Sequence, residues 1–336
     1  MAASRRDILR LLDELDGPIA DAFWADVLGI ATRAQVKALT AAIVSGDLDA
    51  VMIAAGYRPG SWSTMTEATR AAYIKAGIAT IAADVPKRFG MTFDLTNPRA
   101  EAWLREHSSQ LVTLINNEQR EAIRVVLEAG MQAGRNPRSI ALDIVGRMSK
   151  QAKRRTGGIV GLNGPQTGYV LNAREELENL DSNYFTRKRR DRRFDSIVRK
   201  AIDADKPMSA SDINRITGRY SDRLLELRGT TIGRTEALSS MNEASDEALR
   251  QVVQQGLAPP EAVLRIWDAA GDSKTRASHV AMDMQERGLD ETFTAGSGAS
   301  LMHPGDSSHG AGAGEIINCR CIVTHKIDFI AVELAA

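Results

Sequence analysis

Residues 97–130 read NPRAEAWLREHSSQLVTLINNEQREAIRVVLEAG, and this stretch decides the fold class. Asn97 is a helix-capping residue, and Pro98 takes the first helical position, where a missing N–H costs nothing. Leu104, Leu111, Leu114 and Ile115 then run at helical spacing towards Val125, Val126 and Leu127, and Gly130 or Gly134 supplies the stop. The pattern predicts one long helix. Towards the N-terminus, Ile8, Leu11, Leu12 and Leu15 form a second apolar stripe between Arg5, Arg6, Asp13 and Glu14. Residues 32–56 continue with Ala-rich helical spacing, broken at Asp47 and stopped by Gly56 and Pro59-Gly60. Towards the C-terminus, Asn136-Pro137 repeats the start signal ahead of Ile140, Ile144, Val145 and Met148. That helix is expected to dissolve into a flexible basic stretch, Arg154-Arg155-Thr156-Gly157-Gly158.

Beyond Gly164-Pro165 a further helix carries Val170, Leu171, Leu177 and Leu180. Ser209 with Asp212 resembles a capping box and opens a helix to Leu227, with helical sequence resuming from Thr230 to about 255. After Pro259-Pro260 the character changes. Val263-Leu264-Arg265-Ile266-Trp267 is strand-like, 273–287 is helix-like, and a Gly-rich loop leads to Ile316-Ile317-Asn318-Cys319-Arg320-Cys321-Ile322-Val323. The expected fold class is mainly α in the N-terminal and middle regions, with a small α+β C-terminal domain. The expected divisions are a helical region at 1–150, a basic linker with a helical middle at 151–255, and the α+β domain at 256–336.

The chain has 336 residues, 43 Lys+Arg against 43 Asp+Glu, and two cysteines. No uninterrupted apolar run of about 18 residues occurs and no apolar leader follows Met1, so neither a membrane span nor export is expected, and assembly in a cytoplasm is. The zero net charge hides a positive band. Residues 147–200 hold 14 basic and 6 acidic side chains, whereas 255–336 hold 6 and 11. The densest part is Arg187-Lys188-Arg189-Arg190-Asp191-Arg192-Arg193, a run that repels itself unless an anion or acidic partner lies against it. Its functional reading is non-specific contact with nucleic-acid phosphates or an acidic partner, and its plain alternative is a solvated face.

Four of the five histidines (His279, His303, His309, His325) and both cysteines lie at 279–336. On a strand, Cys319 and Cys321 would share one face about 7 Å apart, so two thiolates could converge on one ion. His279 is the first candidate for a third ligand to one zinc ion, with His303 or His309 as the fourth. Two alternatives stay open: cysteines as small buried hydrophobes, or a thiol nucleophile with His279 as base. Asp272, Arg276 and His279 could share a helix face with an Asp272–Arg276 ion pair, and Arg234-Thr235-Glu236 could be a solvated face. The Gly-rich segments at 296–298 and 310–314 do not fit a phosphate loop.

The order of signals from about 230 to 322 resembles the head-morphogenesis (Mu F-like) family of minor head proteins of tailed phages. The residues carrying the resemblance are Ile232-Gly233-Arg234-Thr235-Glu236-Ala237 with Asn242 and Ala244, then Trp267, Asp272, Arg276 and His279, then Pro304-Gly305-Asp306, and finally Glu315 to Cys321. The stretches Tyr184–Arg193 and Asn97-Pro98 also look like longer members. The sequence departs from the family at Met284-Gln285, where an Asp/Asn-Gly turn is expected. The resemblance implies a non-enzymatic virion component, assembled in the host cytoplasm and associated with the portal protein and other capsid proteins at the portal vertex or capsid interior. It gives the basic band a use in facing packaged double-stranded DNA or the portal. The rival expectation is a metal- or thiol-dependent hydrolase built on the same His/Cys cluster.

Overall fold

A computed structural model describes residues 3–328. The helices are α1 (Arg5–Arg33), α2 (Val36–Ser45), α3 (Leu48–Ala54), α4 (Ser63–Asp84), α5 (Pro98–Gln132), α6 (Pro137–Val145), α7 (Gly164–Glu178), α8 (Asp195–Asp203), α9 (Ala210–Gln254), α10 (Ala277–Val280) and α11 (Ala313–Ile316). The strands are β1 (Arg147–Ser149), β2 (Arg154–Thr156), β3 (Val263–Asp268), β4 (Glu286–Gly288), β5 (Phe293–Thr294), β6 (Ser300–Leu301) and β7 (Ile322–Ile327). The chain is therefore mainly α through its N-terminal and middle parts, with a small α+β C-terminal part.

Two compact units are interleaved along the chain. One comprises the described residues of Met1–Phe23, Thr64–Ser108 and Thr230–Ala336; the other comprises Trp24–Ser63 and Ser109–Gly229. Packing thus groups the segments differently from consecutive divisions at 150 and 255. Position 255 does mark the end of α9, where Gly256 takes φ +71°.

The expected helix starts are built as the capping chemistry requires. Asn97 Oδ1 accepts from the Arg99 amide at 3.0 Å, and Asn136 Oδ1 from that of Arg138 at 2.8 Å. Leu111, Ile115, Ile123 and Val126 of α5 are buried, but Leu114 is 57 % exposed and lies off the apolar stripe. Ser209 Oγ accepts from the Asp212 amide at 3.1 Å, while the Asp212 carboxylate takes the Ser209 hydroxyl at 2.8 Å; the pair caps α9 without the full reciprocal box. Gly229 does not interrupt α9, which runs for 45 residues.

Two local expectations are corrected. The stretch after α6 is a hairpin, β1 paired antiparallel with β2. Its base is tied down by backbone contacts. Gly157, at φ +74°, lies so close to Gly218 that a Cβ there would come within 2.5 Å of the Gly218 Cα. Residues 273–287 hold only the single turn α10, because the following residues pair as β4 along β3.

The C-terminal sheet has the order β4-β3-β7, all antiparallel, with Trp267 opposite Val323 and Arg265 opposite His325. Along β3 the buried side chains are Val263, Arg265 and Trp267. Arg265, fully buried, donates to Asp246 Oδ2 and the Met302 carbonyl, each at 2.7 Å, and to the Gly288 and Glu291 carbonyls. A charge this deep is tolerated because its donors meet a carboxylate and fixed dipoles.

Candidate metal centre

His279 lies on α10, and Cys319 and Cys321 lie in the turn immediately before β7, not on a strand. That turn is formed by Asn318 at φ +55°, a conformation Asn adopts at modest cost. Its amide donates to Thr235 Oγ1 on α9 at 3.2 Å. The backbone reversal, not strand alternation, brings both sulfurs to one side. Sγ of Cys319 lies 3.3 Å and Sγ of Cys321 3.5 Å from the same ring atom, His279 Nδ1. All three residues are buried, and their ligand atoms fall within 4.8 Å of one another.

The other nitrogen of the imidazole faces an acid. Nε2 lies 2.9 Å from Glu315 Oε2, a carboxylate held by the Ser278 and Ser297 hydroxyls at 2.8 Å each. With an ion in the site, a ring proton on Nε2 towards this carboxylate would leave the Nδ1 lone pair free for the metal. Trp267 presents its edge to the ring at 5.3 Å between centroids and shields it from water. The two thiols differ. The S–H of Cys319 donates to Cys321, which holds the Cys321 thiol well below its ordinary range with further help from His279; the same bond pushes Cys319 up.

This donor set fits a soft divalent ion. Bonds of about 2.3 Å to sulfur and about 2.0 Å to nitrogen at the tetrahedral angle put nitrogen and sulfur roughly 3.5 Å apart, close to the separations here. Glu315 supplies the outer-shell carboxylate that metal-bound histidines usually have. Neither histidine expected as fourth ligand belongs to the cluster. His303 Nε2 lies 3.1 Å from Glu243, and His309 Nδ1 lies 2.8 Å from the Ser308 hydroxyl. Among the described residues the set is His279, Cys319 and Cys321. Sequence reasoning missed the role of Glu315, although Glu315 opens the segment that ends in the two cysteines.

The remaining residues that carried the resemblance are tied into the same unit. Asp272 does not pair with Arg276 along a helix. It accepts from Arg320, between the two cysteines, at 2.6 Å, and that guanidinium holds its carboxyl far below the usual range. Arg276 instead donates to the Ile317 carbonyl. The Pro304 carbonyl accepts from Asn242 at 2.9 Å, and Asp306 caps its own turn through the Met302 and Ser308 amides at 2.7 Å each. Arg234-Thr235-Glu236 is no solvated face: Arg234 bonds Asp13 and Asp16 at 2.9 and 3.1 Å, and buried Glu236 lies 2.6 Å from His107 Nε2. At Met284 the chain takes φ +61°, making the turn expected of Asp/Asn-Gly with a methionine.

The basic run is largely neutralised by its own chain. Arg187 makes a two-pronged bond to Glu176 at 2.6 and 2.7 Å, Arg190 one to Asp195 at 3.0 and 2.9 Å, and Arg193 reaches Asp191 at 2.6 Å. Lys188, Arg189 and Arg192 are exposed with no carboxylate within 4 Å among the described residues. No family model, curated protein or solved structure matches the chain.

Proposed function

We propose that the chain is a minor head protein of a tailed phage or prophage-like particle, acting by binding rather than catalysis, with a C-terminal module braced by one structural zinc ion. The observation that carries this reading is the convergence of its motif residues. Trp267, Asp272, Arg276, His279, Asn318, Cys319 and Cys321, scattered over 55 positions of sequence, meet around one His/Cys/Cys cluster. His279 Nδ1 and the two sulfurs would hold the ion, and Glu315 would orient the imidazole. Bound there, zinc would clamp α10 to the turn before β7. The partners in this reading are the portal protein, other capsid proteins and packaged double-stranded DNA held without sequence preference, and the place of action is the virion.

Metal content of the purified chain, measured beside a Cys319→Ser, Cys321→Ser variant, tests the brace. About one zinc per chain is expected, lost in the variant together with a drop in melting temperature of several degrees. A metal-free wild type with an unchanged melting curve in the variant removes the zinc. Mass spectrometry of particles induced from the strain carrying the gene tests the role. The chain should copurify with the portal protein, and its absence from intact particles sinks the assignment.

The same atoms favour one second reading. Cys321, His279 and Glu315 line up as thiol, imidazole and carboxylate, the order used by thiol hydrolases. Burial of both sulfurs supports the metal reading first. Rapid alkylation of Cys321 by iodoacetamide in metal-free chain at pH 6 would instead support the hydrolase.

A further inference from the structure

In the unit built from Trp24–Ser63 and Ser109–Gly229, a cleft of about 570 Å³ opens between the β1–β2 hairpin, α1 and α9. This is within the range of small-ligand sites, about 300 to 1,000 Å³. Its lining includes Trp24 and Leu28 of α1 and Phe194, all half-exposed. The same lining holds the cations Arg154 and Arg155 of the hairpin and Arg215 and Arg219 of α9.

The partners of these cations differ. Arg215 bonds Asp212 at 2.8 Å and lies over the Phe194 ring, while Arg219 lies 3.6 Å from Asp191. Arg155 donates only to the Gly146 carbonyl, and Lys150, Lys153 and Arg154 are exposed; none of these four has a carboxylate within 4 Å among the described residues. Of the two lining acids, Asp222 accepts from the Gly157 amide at 2.8 Å, and Glu226 is the other. The hairpin base is fixed by that bond and by the Ser221 hydroxyl on the Gly158 carbonyl at 2.6 Å. Of the cations in this unit without a carboxylate partner, Arg154 and Arg155 line the cleft with Trp24 and Phe194, whereas Lys188, Arg189 and Arg192 of the 187–193 run do not.

We propose that this cleft binds a nucleotide unit, its phosphate on the hairpin arginines and its base against Trp24 and Phe194, supplied by a single-stranded nucleic acid or by free nucleotide. Cations along a groove and aromatic faces for bases are the two elements of single-strand sites. The inference rests on the nucleic-acid part of the reading above and is independent of the metal.

Fluorescence anisotropy of the full chain with a labelled oligothymidine of about twelve nucleotides tests it. The oligonucleotide should bind, with an affinity that falls steeply with salt. Changing Lys150, Lys153, Arg154 and Arg155 together to Gln should weaken binding about tenfold or more and flatten the salt dependence. Changing Lys188, Arg189 and Arg192 to Gln should alter it less than about threefold. Trp24→Leu should weaken it about fivefold or more through lost stacking. Competition by thymidine monophosphate assigns the site to free nucleotide, and its failure to compete assigns it to the strand. Wild-type affinity in the hairpin variant overturns the proposal, as does equal binding of a duplex that Trp24→Leu leaves unchanged. Should the fourfold variant not melt as wild type does, Lys150→Gln, Lys153→Gln at the exposed turn serves, with about a threefold loss expected. A failed binding test with the chain still present in particles removes this site alone.

Discussion

At the scale of single residues, the buried histidines make stability depend on pH in an unusual direction. Burial alone would lower the pKa of His325, but Asp246 and Asp84 overcome it and hold the ring at about 9; Glu243 does the same for His303, also about 9. Asp84 comes from α4, Asp246 and Glu243 from α9, and Arg265 of β3 also bonds Asp246. Both folded values lie above the ordinary histidine value near 6.5. The stabilisation is therefore complete below about pH 6.5 and is lost as pH rises through about 9. Melting temperature should fall between pH 7 and 9.5, and His325→Gln should flatten that fall; an equally steep fall in the variant would show that other groups govern it. Met284 is a second single-residue case. Its side chain is 68 % exposed, yet its backbone is left-handed. Met284→Gly should stabilise the fold by about 1 kcal/mol, since the strain of a side chain in that region is removed and no packing is lost. Chemical denaturation reads this directly, and a destabilised variant would refute the strain argument.

At the scale of elements, close approach of helices is set by glycine. A Cβ on Gly233 of α9 would come within 2.5 Å of the Asp16 carbonyl and 2.9 Å of the Ala20 Cβ on α1. Gly233→Ala should therefore cost about 1–3 kcal/mol, despite the higher helix propensity of alanine. A variant as stable as wild type would mean the two helices separate freely. The helices were readable because their signals are local: Asn97-Pro98 and Asn136-Pro137 announce their starts, and apolar spacing does the rest. The hairpin was not readable, because Arg147, Met148, Arg154 and Arg155 show no alternation and its anchor, Gly157 on Gly218, joins residues 61 positions apart. Arg265 shows the same limit. An arginine between Leu264 and Ile266 reads as outward-facing until Asp246 is seen beneath it. Of the His/Cys/Cys cluster, the sequence reading named the three members, but not the carboxylate beside the imidazole or the partner of Asp272, since both depend on loop geometry.

At the scale of the whole molecule, each compact unit draws on segments far apart in sequence. Arg5 pairs with Asp268, Asp13 and Asp16 with Arg234, and Asp84 with His325. Residues 1–150 alone hold parts of both units and complete neither. That fragment should unfold without a cooperative transition by circular dichroism, whereas the full chain should show one; a sharp transition in the fragment would mean its helices suffice for each other. The same interleaving bears on synthesis. A ribosome finishes every segment of the Trp24–Gly229 unit before it has made the last 107 residues. Through that interval Asp13 and Asp16 lack Arg234 and Asp84 lacks His325, so the unit containing the start of α1 stays incomplete. A product terminated early therefore carries one assembled unit and one exposed remnant, the form that cellular proteases clear. Both units can close only once the segment that begins at Thr230 has been made.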